Sequence, residues 1–252
     1  MPKYFDIHSH LNFPDYEKDW GEVIARLRET ETHTIVVGTD YESSRKAVEL
    51  SGKYPEIYAC IGVHPVENAT RVFNEREFKE LVKHPKVVAI GECGLDFFHS
   101  DKTQDFERQK KLFIEQIEFA LAYDKPIMIH ARNAYAEILD IIENYPNLRG
   151  NVHFFAGSVE EAKKFVEKGF TLSFTGVITF TSSYDDVIKS LPISSIMAET
   201  DAPYVSPVPY RGKRNEPSYV QEVVKKMALL RGINFEEMRK ALVNNALNMI
   251  GY

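Results

Sequence analysis

Eight short apolar runs recur along this chain of 252 residues, each about the length of a strand and each followed by a segment of helical character. They fall at 4–8, 34–38, 57–63, 87–92, 126–130, 151–155, 170–174 and 196–201. Each run is nearly continuous and rich in Val and Ile, the signature of a parallel strand buried on both faces. Between them, Phe106, Phe113, Ile117 and Leu121 share one helical face near 105–123. Val220, Val223, Val224, Met227 and Leu230 do the same in a helix with Pro217 near its start and Gly232 just past its end. A last helix begins at Asn234, with Glu237 placed for a capping box. The stretch after the seventh run is weaker: 179–183 is polar and only 184–191 reads as helical. Strict β–α alternation predicts an α/β fold, a single (β/α)₈ TIM-type barrel over 1–252, irregular around the seventh helix and with an extra C-terminal helix. The rival, an open doubly wound sheet, more often carries a Gly-rich phosphate loop after the first strand, and none is here.

Several classes are disfavoured. No run of about 18 apolar residues exists, so no membrane span is expected. The N-terminus lacks a basic-then-apolar leader. Cys60 and Cys93 both lie in strand-like runs, where buried free thiols are the default. A cytoplasmic protein is therefore expected, with no obligate protein partner implied. The net charge of −6 argues against broad coating of duplex nucleic acid but allows a local basic mouth around a cleft.

A barrel places the C-terminal ends of all its strands on one face, where active sites lie. His8 and His10 close the first strand; side chains two apart in a strand point the same way, so both imidazoles can aim at one point. On the same face come His64 after strand three, Glu92 from strand four, His130 from strand five, His153 from strand six and Asp201 from strand eight. His33 and His84 fall near strand starts on the opposite face and read as structural; His99, in the loop after strand four, fits either reading. Singly, each candidate has a plainer explanation: Glu92 could cap the next helix, His130 and His153 could be interior histidines, and Asp201 could be a turn residue before Pro203. Together, buried imidazoles and carboxylates are costly unless something pairs them. A divalent cation does so, and His8, His10, Glu92, His130, His153 and Asp201 exceed the three or four protein ligands of one catalytic site. One or two ions are expected, with Glu92 the best bridge between two. Nitrogen and oxygen donors leave the metal open among Mg, Mn and Zn.

Residues 203–217 form a proline-stiffened loop directly after Asp201 that carries Arg211, Lys213 and Arg214. Three cations near such a cluster in an acidic protein point to an anionic substrate, and guanidinium forks suit phosphate. Tyr204 and Tyr210 are placed to stack on bases, and Arg132, two residues past His130, is a further phosphate contact. The plain alternative is an exposed, solvated basic loop.

These motifs resemble the TatD family of metal-dependent deoxyribonucleases, within the amidohydrolase-like metal barrels. The resemblance runs through Phe5-Asp6-Ile7-His8-Ser9-His10, Ile61-Gly62-Val63-His64-Pro65 and Ala89-Ile90-Gly91-Glu92-Cys93-Gly94-Leu95-Asp96. It continues through Ile129-His130-Ala131-Arg132, Glu199-Thr200-Asp201-Ala202-Pro203-Tyr204 and the stretch from Arg211 to Pro217. The resemblance implies that His8, His10, Glu92 and Asp201 hold one ion and that Glu92, His130 and His153 hold another. It also implies metal-supported hydrolysis of DNA phosphodiesters in a cytoplasmic setting. One departure stands out: the family usually has His-Cys-Phe-Ser-Gly where this chain has His153-Phe154-Phe155-Ala156-Gly157. The ligand is kept and a small hydroxyl is lost.

The expected function is thus cleavage of DNA phosphodiester bonds, as an exonuclease on single strands or chain ends, through a metal-activated water. Asp201 and Glu92 are the expected catalytic carboxylates, with Asp201 accepting the proton of the water. His64, Arg132, Tyr204, Arg211 and Arg214 are expected to contact DNA or another phosphate-bearing nucleic acid, while Asp96 and Glu199 stand behind the ligands. The alternative is a metal-dependent esterase or amidohydrolase on the same scaffold, such as an aminoacyl-tRNA deacylase; a non-catalytic binding protein is a more distant one.

Overall fold

The computed structural model describes residues 1–66 and 72–252. Its strands are β1 (Tyr4–Ser9), β2 (Thr32–Val37), β3 (Ile57–Ile61), β4 (Val87–Asp96), β5 (Ile127–Arg132), β6 (Gly150–Val152), β7 (Thr171–Phe174) and β8 (Ile196–Ala198). All neighbours pair in parallel, in the order β1 to β8 of one eight-stranded sheet. The ends meet: the Asp201 amide donates to the His8 carbonyl at 2.9 Å and the His10 amide to the Ala202 carbonyl at 2.7 Å. The result is the expected (β/α)₈ barrel, with the closing seam passing through three candidate ligands.

The helices are α1 (Trp20–Glu29), α2 (Tyr41–Lys53), α3 (Glu75–Leu81), α4 (Lys102–Ala122), α5 (Tyr135–Ile142), α6 (Val159–Glu167), α7 (Asp185–Ser190), α8 (Val220–Arg231) and α9 (Phe235–Ile250). Their starts follow local chemistry. Asp40 and Ser43 close a reciprocal capping box on α2, and Ser158 with Glu161 does so on α6. Asn234 accepts from the Glu236 and Glu237 amides at the start of α9. Helix α8 stops at Gly232, whose φ of 62° suits glycine. The irregularity after β7 is real: a 3₁₀ turn at Gly176–Thr179 precedes a six-residue α7.

Alternate residues of each strand feed two kinds of core. Val36, Ala59, Ile61 and Ile90 pack outward against Leu27, Ala47, Phe78 and Phe119 of α1 to α4. Ile127, Ile129, Leu172 and Ile196 pack outward against Ile138, Phe165, Val187 and Met227 of α5 to α8. The opposite faces supply Phe5, Ile35, Val37, Cys60, Met128 and Met197, an inner cluster joined by Val243, Ala246 and Ile250 of α9. The extra helix therefore packs onto the inner core. Cys60 and Cys93 are buried and free. No helix among the described residues is long and apolar enough to cross a membrane.

Candidate metal centre

Six side chains from five strand ends converge beneath a cavity of about 790 Å³ at the C-terminal mouth. His8 Nε2 and His10 Nε2 lie 3.2 Å apart. The sequence places Asp6 on the same face as these two, but a register shift in β1 falls between Asp6 and Ser9. Asp6 and Ser9, three apart, both bond the Thr34 hydroxyl, at 3.2 and 2.8 Å. Asp6 instead receives the Thr200 amide at 2.8 Å and hydroxyl at 2.7 Å, pinning β1 to the chain that delivers Asp201. Asp201 itself takes a left-handed φ of 55°, a conformation Asp tolerates better than most residues.

Glu92 sits at the centre with both oxygens engaged. Its Oε2 lies 3.4 Å from His8 Nε2 and 3.6 Å from His10 Nε2. Its Oε1 lies 2.9 Å from His130 Nδ1, 2.8 Å from His153 Nε2 and 3.5 Å from His64 Nε2. Asp201 Oδ1 stands 3.5 Å from His10 Nε2 and 3.7 Å from His8 Nε2. Gly94 makes room for this: with φ of 142°, any Cβ there would stand 2.1 Å from the His130 carbonyl oxygen. The atoms fall into compact donor groups: His8, His10 and Glu92; His8, His153 and Asp201; His64, Glu92 and His130. His64 thus stands among the donors as well as on the cavity wall.

The outer ring nitrogens decide what the inner ones present. His10 Nδ1 donates to the Val37 carbonyl at 3.0 Å, and His130 Nε2 faces Asp96 Oδ2 at 3.0 Å. His153 Nδ1 faces Glu199 Oε1 at 3.5 Å. The Nδ1 atoms of His8 and His153 are both buried without a hydrogen-bond partner among the described residues, and Glu199 stands near only the second. Where the outer nitrogen carries the hydrogen, the inner one turns a lone pair toward carboxylate oxygens under 4 Å away. A lone pair facing a carboxylate at that range is repulsive unless a proton or a cation lies between them. The donor set therefore fits a divalent cation.

In the absence of a cation, protons take that place. Burial lowers His10, His130 and His153, but the groups facing them, led by Asp201, Asp96 and Glu92 respectively, together more than offset it; all three are raised, His153 well above the usual range. Burial opposes charge on Glu92 too, yet the imidazoles, His153 foremost, hold it well below the usual carboxylate range. His64 is pulled down to about 3 by burial first and by His130 next. A metal must displace the protons on the raised imidazoles. Binding is expected to release protons and to weaken as pH falls through that raised range. Titration calorimetry in buffers of differing ionisation enthalpy measures the release; an affinity independent of pH would contradict the arrangement.

The loop after β8 departs from expectation. Arg214 does not reach the cavity: it makes a two-pronged ion pair with Asp19 at 2.8 and 2.6 Å, donates to the Asp15 carbonyl and lies 4.4 Å from the Tyr16 ring centre. Tyr210 is spent on Tyr219, stacked at 3.7 Å. Arg211 stands outside the lining, over the ring of Phe180. Asn215 ties the loop down by donating to the Thr200 and Tyr204 carbonyls at 2.8 and 2.6 Å. Arg132, His64 and Tyr204 do line the cavity. So do residues the sequence left unassigned: His99, 2.8 Å from Asp96 Oδ2, and Tyr135, whose hydroxyl accepts from the Ala156 amide at 2.8 Å. His99 lies only three residues past Asp96, the one signal that could have tied it to the site.

An imidazole–carboxylate cluster at the mouth of a (β/α)₈ barrel is a setting for metal-dependent chemistry. The chain belongs to the TatD family: the family model described as TatD related DNase matches residues 5–251. Bacillus subtilis YabD, named an uncharacterized metal-dependent hydrolase, is 40% identical over 248 residues, covering 96% of each chain. The crystal structure of the TatD homologue YjjV from Escherichia coli superposes with a TM-score of 0.92 at 30% identity, over 99% of this chain and 98% of that one. A TatD family hydrolase from Entamoeba histolytica shares the fold, with a TM-score of 0.87 at 24% identity over 99% and 98% of the two chains.

Proposed function

We propose that this chain hydrolyses phosphodiester bonds of DNA, trimming single strands or chain ends, with two divalent ions in the cluster. His8, His10, Glu92 and Asp201 would hold one ion, and Glu92, His130 and His153 would hold the other. The observation that carries this reading is the division of Glu92, with one oxygen toward each imidazole pair, below a wall that bears the Arg132 guanidinium. Magnesium, manganese or zinc there supplies Lewis-acid stabilisation of phosphoryl oxygens and makes water acidic enough to lose its proton near neutrality.

The side chains do the rest. Asp201 Oδ1, beside His8 and His10, accepts the proton of the attacking water. Arg132 has no carboxylate partner among the described residues and offers its N–H edge to phosphate oxygens. His64, kept neutral by burial, orients the scissile phosphate or its leaving oxygen. Tyr204, 52% exposed at the rim, gives a terminal base a ring to stack on. A cavity of small-ligand size suits a strand end better than a duplex interior. Two buried free thiols suit a reducing compartment, and we place the protein in the cytoplasm.

An end-labelled single strand is the direct substrate test. Cleavage is expected to fall to background after chelation and to return with Mg, Mn or Zn. Intact DNA with every metal, alongside turnover of a carboxylic ester or an aminoacyl-tRNA, would replace this reading.

A further inference from the structure

Two arginines on the mouth face of the barrel lie against aromatic rings and meet no acid. Arg132 Cζ is 4.1 Å from the ring centre of Phe98, and Arg211 Cζ is 3.8 Å from that of Phe180. Among the described residues neither is within ion-pair distance of a carboxylate, whereas Arg26, Arg28, Arg108 and Arg214 are each paired with one. In a chain of net charge −6, unpaired guanidiniums run against the prevailing balance. Both rings are exposed, Phe98 by 60% and Phe180 by 42%. Each ring keeps a guanidinium within cation–π range, which leaves its N–H groups able to meet an anion.

The Arg211 pair has a defined place. Phe180 follows the 3₁₀ turn Gly176–Thr179, and the Thr179 hydroxyl accepts from the Val208 amide at 2.9 Å. The segments bearing Phe180 and Arg211 are thereby joined, and they also supply Tyr184 and Val205 to the cavity wall. Among the described residues Arg211 makes one hydrogen bond, from Nη1 to the Ser206 carbonyl at 3.3 Å. Exposed Val208 lies between them in sequence. The pair therefore stands beyond the rim of a cavity whose wall already carries Arg132.

We infer that Arg211 and Phe180 form an outer anchor for a single-stranded polynucleotide whose end enters the metal cavity. The Arg211 edge takes a backbone phosphate several nucleotides from the scissile one, and exposed Phe180 and Val208 take an unpaired base. This inference rests on the phosphodiesterase reading and adds a second contact outside the cavity: affinity rises with chain length until the strand reaches the anchor.

The test is fluorescence anisotropy on metal-loaded protein, with phosphorothioate single strands of about three and about twenty nucleotides as uncleaved probes. Wild type is expected to bind the longer probe more tightly. Arg211→Ala and Phe180→Ala should each weaken the longer probe by roughly tenfold and leave the shorter one unchanged. Arg211→Ala should flatten the salt slope by about 0.7, the share of one single-strand phosphate contact. Arg211→Lys should keep the slope but lose affinity, because an ammonium does not stack flat. Equal affinity for both lengths in wild type, or an unchanged longer-probe affinity in both alanine variants, would overturn the anchor. Length-independent binding by a protein that still cleaves DNA removes the anchor alone. Arg211-dependent binding without phosphodiester cleavage removes the nuclease reading and keeps the anchor.

Discussion

Glu92→Ala is expected to lose divalent metal and to lower hydrolysis by at least about 10³-fold, the scale of removing a principal electrostatic stabiliser of a transition state. The reason is geometric. Among the described residues, Glu92 is the acid within 4 Å of both imidazole pairs, at 3.4 and 3.6 Å on one oxygen and 2.9 and 2.8 Å on the other. Without it, Asp201 still faces His8 and His10, but the inner nitrogens of His130 and His153 lose their shared carboxylate, and Asp96 and Glu199 stand only on the outer nitrogens of those two rings. Glu92→Gln separates charge from shape: it keeps the volume, and it too should lose metal. Circular dichroism should show the barrel intact, since Asp6, Thr200 and the seam between His8 and Ala202 hold β1 to the β8 end independently. Metal content and rate unchanged in a folded Glu92→Ala protein would refute the central role of this residue.

Asp201→Asn is expected to lower kcat by about 10²- to 10⁴-fold with a much smaller change in KM, the signature of losing a proton acceptor rather than a binding contact. The amide is isosteric and keeps the left-handed backbone accessible, as Asn shares that tolerance. It cannot take up a proton, so the defect should fall on the chemical step. Single-turnover kinetics measure that step directly. A loss confined to KM would place Asp201 in substrate binding instead.

Much of the fold was legible because burial on both faces writes itself as uninterrupted Val- and Ile-rich runs, and alternation with helices then leaves few topologies. The ends of the runs were less so. The sixth run reads to 155 but its strand ends at Val152, because Phe154 turns to a φ of 44°. The eighth reads to 201 but ends at Ala198, since the chain leaves extended geometry to present Asp201. The ligand candidates could be read because position at a strand end is itself a geometric statement in a barrel. The loop cations could not: Arg214 is claimed by Asp19, 195 residues away, a pairing that no local pattern announces. The contacts of Arg132 and Arg211 with Phe98 and Phe180 are likewise tertiary, and the register shift in β1 hid the separate task of Asp6. Nothing in the structure explains the Ala156 departure: its amide donates to the Tyr135 hydroxyl, a bond that does not involve the lost side chain.

The most direct test of the centre is a count of divalent ions per chain, by elemental analysis of protein reconstituted with manganese or zinc and freed of excess. About two ions per wild-type chain, falling below one in Glu92→Ala, is the predicted result. A wild-type count of one or none, or the same count in both proteins, would contradict a bridged pair of ions on Glu92.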